Sequence, residues 1–260
     1  MKFRHIGVFR TAAFALTMGI SASGAQEGAT TFTPNTAKPF VVGEKLTYSV
    51  RVGPMGKGTA FAEIRNIDTV RGKVVYHSVF RITGSMLFFK VSDHYESWFD
   101  PNTLVSLRYH QDIDQGPYER NRKFEIYPER GVYKENEKPE VPTVELPLDD
   151  GAFLYFMRTI PLEIGKTYSF NRYFKPDRNP VKVTVVRRER IKVPAGEFDA
   201  IVLRPSIKSK GIFAESANAE VWLAEGEGRM MLAMRTKLPF GHVQFQLRSR
   251  EMIKGSVAEK

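Results

Sequence analysis

From Val41 onward the chain alternates apolar and polar residues in short runs, and Gly and Pro break the runs at close intervals. A period of two puts successive side chains on opposite faces of an extended strand, so this pattern predicts antiparallel strands with one face buried. Leu46, Tyr48 and Val50 share one face of the first run, opposite Thr47, Ser49 and Arg51. Gly53, Pro54, Gly56 and Gly58 turn it into a second run, in which Ala60, Ala62 and Ile64 share a side. Turn residues recur at Arg71-Gly72, Pro194-Ala195-Gly196, Glu225 to Gly228 and Pro239-Phe240-Gly241, and each group can close a hairpin. Strands are expected near 44–52, 58–68, 73–83, 94–100, 104–112, 118–127 and 131–135, then near 166–174, 181–193, 198–206, 218–224, 230–237 and 242–253. So many short-linked strands cannot lie flat without long exposed edges. The expectation is an all-β fold in which one large curled antiparallel sheet forms an open or closed barrel.

One segment breaks the alternation. Leu148 to Pro161 reads LDDGAFLYFMRTIP, where Asp149 or Asp150 can cap a helix that Pro161 ends. Phe153, Phe156, Met157 and Ile160 fall on one helical face, while Leu154 and Tyr155 make the other sides apolar too. A helix apolar nearly all round must be buried. The sheet is therefore expected to wrap around this helix, which plugs the hollow.

The start of the chain reads as an export signal. Lys2, Arg4 and Arg10 precede an apolar stretch from Thr11 to Ile20, and Ser23 and Ala25 supply small residues before a cut at Gln26. Ten mostly apolar residues fall well short of the roughly 20 that a spanning helix needs. The expected organisation is a signal peptide at 1–25, a flexible leader at 26–40, a single domain at 41–254 and a flexible tail at 255–260. The chain has no cysteine, so disulfides, a thiol nucleophile and lipidation behind the signal are all excluded. A free periplasmic protein is the reading. After cleavage, 36 basic residues face 29 acidic ones, a net charge of +7. That balance suits a transient membrane-surface contact or an anionic ligand, or is a solvated surface. Export and the scatter of basic residues along the strands argue against nucleic acid as a partner.

No constellation of catalytic residues emerges. His77, His94, His110 and His242 show no spacing that puts two imidazoles on one face within reach of one metal, and there is no HExxH. No cofactor is implied. Ser97 has no GxSxG setting, Asp149 and Asp150 are better used as caps than as paired acids, and Gly226 and Gly228 alternate with Glu225 and Glu227, which repel phosphate. Arg158 is the only charge between Gly151 and Pro161, so it needs a partner: Asp149, Asp150, Glu163, the sheet rim, or the head of an anionic ligand. Arg120 and Arg122 share parity with Tyr118, Phe124 and Ile126, on a face that is either solvated, the preferred reading, or lines a mixed cavity. Met86, Leu87, Phe88 and Phe89 form an unbroken apolar run, read as a strand covered on both sides or as a lip that meets a lipid. Met230, Met231 and Met234 are core residues or an adaptable apolar wall.

Several separate segments occur in one order: GEKLTYSVRVGPMGKGTA, KVSDHYESWFD, PLDDGAFLYFMRTIPLEIGKTYSF, VPAGEFDAIVLRP and KGIFAESANAEVWLAEGEGRMMLAMRTKLPFGHVQFQL. In these the chain resembles the bacterial exported proteins grouped as domain-of-unknown-function family 3108. The resemblance spans nearly the whole mature chain and implies a curved antiparallel sheet around a helix, like that of periplasmic lipoprotein carriers. It implies no activity.

The leading expectation is a non-enzymatic periplasmic binding or carrier protein for an apolar or amphiphilic, lipid-like ligand, with Met86, Leu87, Phe88, Phe89 and Arg158 as candidate contacts. One alternative is an envelope hydrolase acting on glycan or lipid through Asp93, Glu96 and Asp100 near Tyr95 and Trp98. The other is an assembly scaffold with no small ligand.

Overall fold

The structure is a computed structural model that describes residues 39–54, 56–86, 89–208, 213–226, 228–238 and 241–253. The expected signal peptide, nearly all of the expected leader, the expected tail, and Leu87 and Phe88 lie outside the described residues. The strands are β1 Glu44–Val52, β2 Gly56–Val70, β3 Lys73–Met86, β4 Phe89–Phe99, β5 Ser106–Gln115, β6 Tyr118–Tyr127, β7 Val132–Glu135 and β8 Val141–Pro142. After helix α1, Asp150–Phe156, come β9 Thr167–Phe170, β10 Val181–Val193, β11 Gly196–Ser206, β12 Glu220–Ala224, β13 Met231–Leu238 and β14 Gly241–Met252. All fourteen strands belong to one sheet, ordered β8-β7-β6-β5-β4-β3-β2-β1-β14-β13-β12-β11-β10-β9. Each half of the chain meanders, and the antiparallel pair β1–β14 stitches the halves together.

The alternation seen in the sequence is what sorts the faces. In β1, Leu46, Tyr48 and Val50 are buried while Thr47, Ser49 and Arg51 are not. The β2–β3 hairpin closes on Arg71 and Gly72, with φ of 49° and 76°, between the paired Val70 and Lys73. Two successive positive φ values give the turn whose twist matches that of its strands. The sheet curls because register shifts interrupt it at Thr47/Tyr48, Ile64/Asn66, Trp98/Phe99, Val185/Arg187 and Trp222/Leu223. Such bulges bend a strand and increase its twist. The outer face carries cross-strand ion pairs, among them Glu220 with Arg187, Arg204 and Arg235.

The sheet is not closed by a continuous ladder. Between its ends runs the segment before α1, where Pro147 O accepts from Ser106 N at 2.8 Å and Leu148 bridges in parallel to Tyr173. The helix sits inside as expected but is shorter than expected. Asp149 caps it by accepting from Gly151 N at 2.7 Å and Ala152 N at 2.9 Å. It ends at Phe156, well before Pro161, because Arg158 N and Thr159 N bond to Tyr155 O and Phe156 O and tighten the last turn. Phe153, Tyr155, Phe156, Met157 and Ile160 are all buried in the main core. Ser97 on β4 donates to Asp149 at 2.7 Å, and Ser106 on β5 accepts from Asp149 N at 2.8 Å, which anchors the helix start to the sheet.

Candidate functional site

Seven helical residues span only about 10 Å at 1.5 Å per residue, whereas the sheet's strands run to 15 residues. The helix therefore fills one end of the barrel and leaves a hollow above it. That hollow is a cavity of about 460 Å³, with Asp150, Gly151 and Leu154 of α1 among its lining residues. Its size lies within the roughly 300–1,000 Å³ usual for small-molecule sites.

The two sides of the cavity differ. Val50, Val52, Ile82, Met86, Val243 and Phe245 give β1, β3 and β14 an apolar wall. Arg120 and Arg122 of β6, with Lys175 and Arg178 from the segment after β9, make the other side basic. Aromatic rings support these cations: Arg120 lies over Tyr118 at 5.1 Å, Arg122 over Phe124 at 5.5 Å, Lys175 over Phe124 at 4.6 Å and Arg178 over Tyr173 at 5.6 Å. The cavity opens beside Tyr118 and Arg120, which are exposed.

Two carboxylates also line it. Asp150 accepts from Tyr109 Oη and Tyr173 Oη, each at 3.0 Å, and from Gln111 Nε2 at 3.3 Å. Burial pushes the Tyr109 and Tyr173 hydroxyls well above their ordinary range, so both remain donors. Asp93 accepts from Gln115 Nε2 at 2.7 Å, and burial raises its carboxyl above the usual carboxylate value. Asp93 Oδ1, Gln111 Oε1 and Arg122 Nε are buried without a hydrogen-bond partner, and all three residues line the cavity. Buried polar atoms are nearly always satisfied, so three orphans on one cavity mark it as a place where polar partners are missing. Burial lowers the Lys175 ammonium from its ordinary value, and its nearest carboxylate, Glu135, is 3.6 Å away.

The candidate contacts fall in different places. Met86 lines the apolar wall, and Phe89 is half-buried against Gly116. Met86 pairs with Phe89 across the β3–β4 hairpin, and exposure alternates along the end of β3, so this end is not covered on both sides. Arg158 does not line the cavity. Its guanidinium is 3% exposed and grips Glu44 of β1, Nη1 to Oε2 at 2.6 Å and Nη2 to Oε1 at 3.2 Å, and also donates to Pro39 O and Gly228 O. The partner is thus Glu44, and not Asp149, Asp150 or Glu163. Arg120 and Arg122 belong to the cavity, which corrects the expectation of a solvated face; parity alone could not reveal that the face they share is hollow. Met231 and Met234 are core residues.

The hydrolase constellation does not converge. Asp93 faces the cavity, Glu96 on the opposite face bonds to His77 at 3.1 Å, and Asp100 caps a turn through Asn102 N and Thr103 N. The sheet does gather histidines that spacing left apart: His77, His94 and His110 surround Glu96 and lower its pKa, the His77 hydrogen bond most of all. Among the described residues no group of His, Asp and Glu could hold a metal ion.

The sequence profile of a family described as a protein of unknown function, DUF3108, matches residues 47–248. The chain belongs to the DUF3108 family. No curated protein matches it. A crystal structure of a β-barrel-like protein of the domain-of-unknown-function family DUF1849 from Brucella abortus is similar in fold, at 10% identity and a TM-score of 0.53, covering 82% of this chain and 98% of that one. Two weaker likenesses add nothing to this. One is a protein from Bacteroides fragilis described as exported with a YmcC-like fold, at 9% identity, TM-score 0.34, and 85% and 98% coverage. The other is a protein from Parabacteroides distasonis described as a lipoprotein, at 10% identity, TM-score 0.36, and 84% and 100% coverage. For this DUF3108 protein the first likeness shows a shared barrel-like architecture, and function must be argued from the cavity.

Proposed function

We propose that this DUF3108 protein is exported to the periplasm through its cleaved N-terminal signal, and that it binds or carries an amphiphile there without transforming it. The observation that carries the reading is the open cavity of about 460 Å³ with one apolar wall. A filled core would favour a scaffold, and a glycan hydrolase needs two carboxylates free to act on substrate. Here Asp150 is held by two tyrosines and a glutamine, while Asp93 is buried beside Gln115. The apolar wall, which includes Met86, favours an acyl chain. The basic side and the overall positive charge favour an anionic head and a transient contact with an anionic membrane surface.

Protein recovered from its own envelope fraction tests this by native mass spectrometry under gentle desolvation. A chain beginning near Gln26 that carries one lipid-sized adduct, releasable by organic extraction, is the expected result. An intact Met1 end in the cytoplasm, or a mature chain that is empty and takes up no fluorescent fatty acid, would overturn it.

A further inference from the structure

We propose that Arg120, Arg122, Lys175 and Arg178 form a head-group site for one oxyanion, a carboxylate or phosphate monoester, borne on a single apolar chain. This deepens the carrier reading and rests on it. The argument begins with pairing. Many arginines elsewhere are matched to carboxylates, as in Arg158 with Glu44, Arg108 with Glu125 and Arg187 with Glu220, and Arg172 and Arg229 are met by backbone oxygens. Among the described residues Arg120, Arg122 and Arg178 make no such pair, and Arg122 Nε is buried with no acceptor at all. The cavity's own acids do not fill the gap. Asp150 is hydrogen-bonded by Tyr109, Tyr173 and Gln111, and Asp93 Oδ2 by Gln115, so neither acid pairs with an arginine; Lys175 meets Glu135 at 3.6 Å, and Arg120, Arg122 and Arg178 are left without a carboxylate.

The cations are also held in place. Rings beneath them fix their position through cation–π contact without neutralising their charge. Arg120 and Arg122 point to the same face of β6, opposite Ile113 and Gln111, about 7 Å apart along the strand. Guanidinium forks so placed suit a planar carboxylate or a phosphate, which they can grip by paired hydrogen bonds. The apolar wall lies across the same cavity, so a bound molecule must be anionic at one end and apolar at the other. The volume suits one small ligand, which selects a single-chain amphiphile.

Calorimetric titration of the delipidated mature protein with decanoate, decyl phosphate, decanol and inorganic phosphate tests the site. Both anionic probes should bind at least tenfold more tightly than decanol, with a difference that shrinks in high salt. Arg120→Gln/Arg122→Gln should erase that difference while decanol affinity and the unfolding midpoint stay unchanged. Arg178→Gln should reduce it, which keeps the test alive if the double variant fails to fold. Equal binding of decanoate and decanol by the wild type would overturn the head-group site and leave the carrier reading standing. Binding of none of the four would overturn both. Inorganic phosphate binding as tightly as decyl phosphate would assign the cluster to a free anion and remove the apolar chain from the inference.

Discussion

Two buried polar groups show how single residues hold this barrel together. The Glu44–Arg158 pair, 2% and 3% exposed, ties the turn after α1 to β1, and Arg250 also reaches Glu44 at 3.2 Å. Glu44→Ala leaves the Arg158 guanidinium buried without its carboxylate and should destabilise by about 3–5 kcal/mol in equilibrium unfolding, the usual result of breaking a buried pair from one side. Asp149 gives a pH signature. Burial raises its carboxyl from 3.8 to about 7, against the opposing hydrogen bonds from Ser97 and Ala152 N. Its pKa is higher folded than unfolded, so its contribution is fully present below 3.8 and is lost as pH rises through about 7. Asn keeps the capping oxygen and carries no charge. Unfolding free energies of wild type and Asp149→Asn should therefore diverge in favour of the variant between these two values and run parallel above them. The sequence showed that Arg158 needed a partner and offered those nearest in the chain. Glu44 lies 114 residues away, and only the stitching of β1 to β14 and the packing of α1 bring it there.

At the scale of elements, the strands were legible because alternation and turn chemistry agree, as at Arg71-Gly72. The helix was legible as buried, but its length was not, since it is set by backbone bonds at Arg158 and Thr159 and not by Pro161. Phe156 packs edge-on against Phe170 at 4.9 Å between ring centres. Phe156→Ala should cost roughly 3–5 kcal/mol in a denaturation series; a midpoint that hardly moves would show the helix to be peripheral. The β3–β4 hairpin should behave in the opposite way. Leu87→Ser/Phe88→Ser should leave stability within about 1 kcal/mol, as at surface positions, while weakening uptake of a fluorescent fatty acid. A loss of several kcal/mol would place these side chains in the core and remove them from the functional argument.

The whole molecule is a long curled sheet around a helix too short to fill it. That mismatch, 7 helical residues inside strands of up to 15, is what leaves a cavity. It also explains why the sequence misplaced Arg120 and Arg122. Parity assigns them to the inner face, but an inner face is dry, solvated or hollow according to how much of the barrel is filled, which no local pattern encodes. Filling the cavity tests the account most directly. Ile82, half-buried on the apolar wall, can be replaced by Trp so that the added ring occupies the empty space. Titration of wild type and Ile82→Trp with one fluorescent fatty acid, beside their unfolding curves, should give saturable one-to-one binding for the wild type. It should give clearly weaker binding for a variant that unfolds at the same denaturant concentration. Undiminished binding in the filled barrel, or no saturable binding in the wild type, would contradict it.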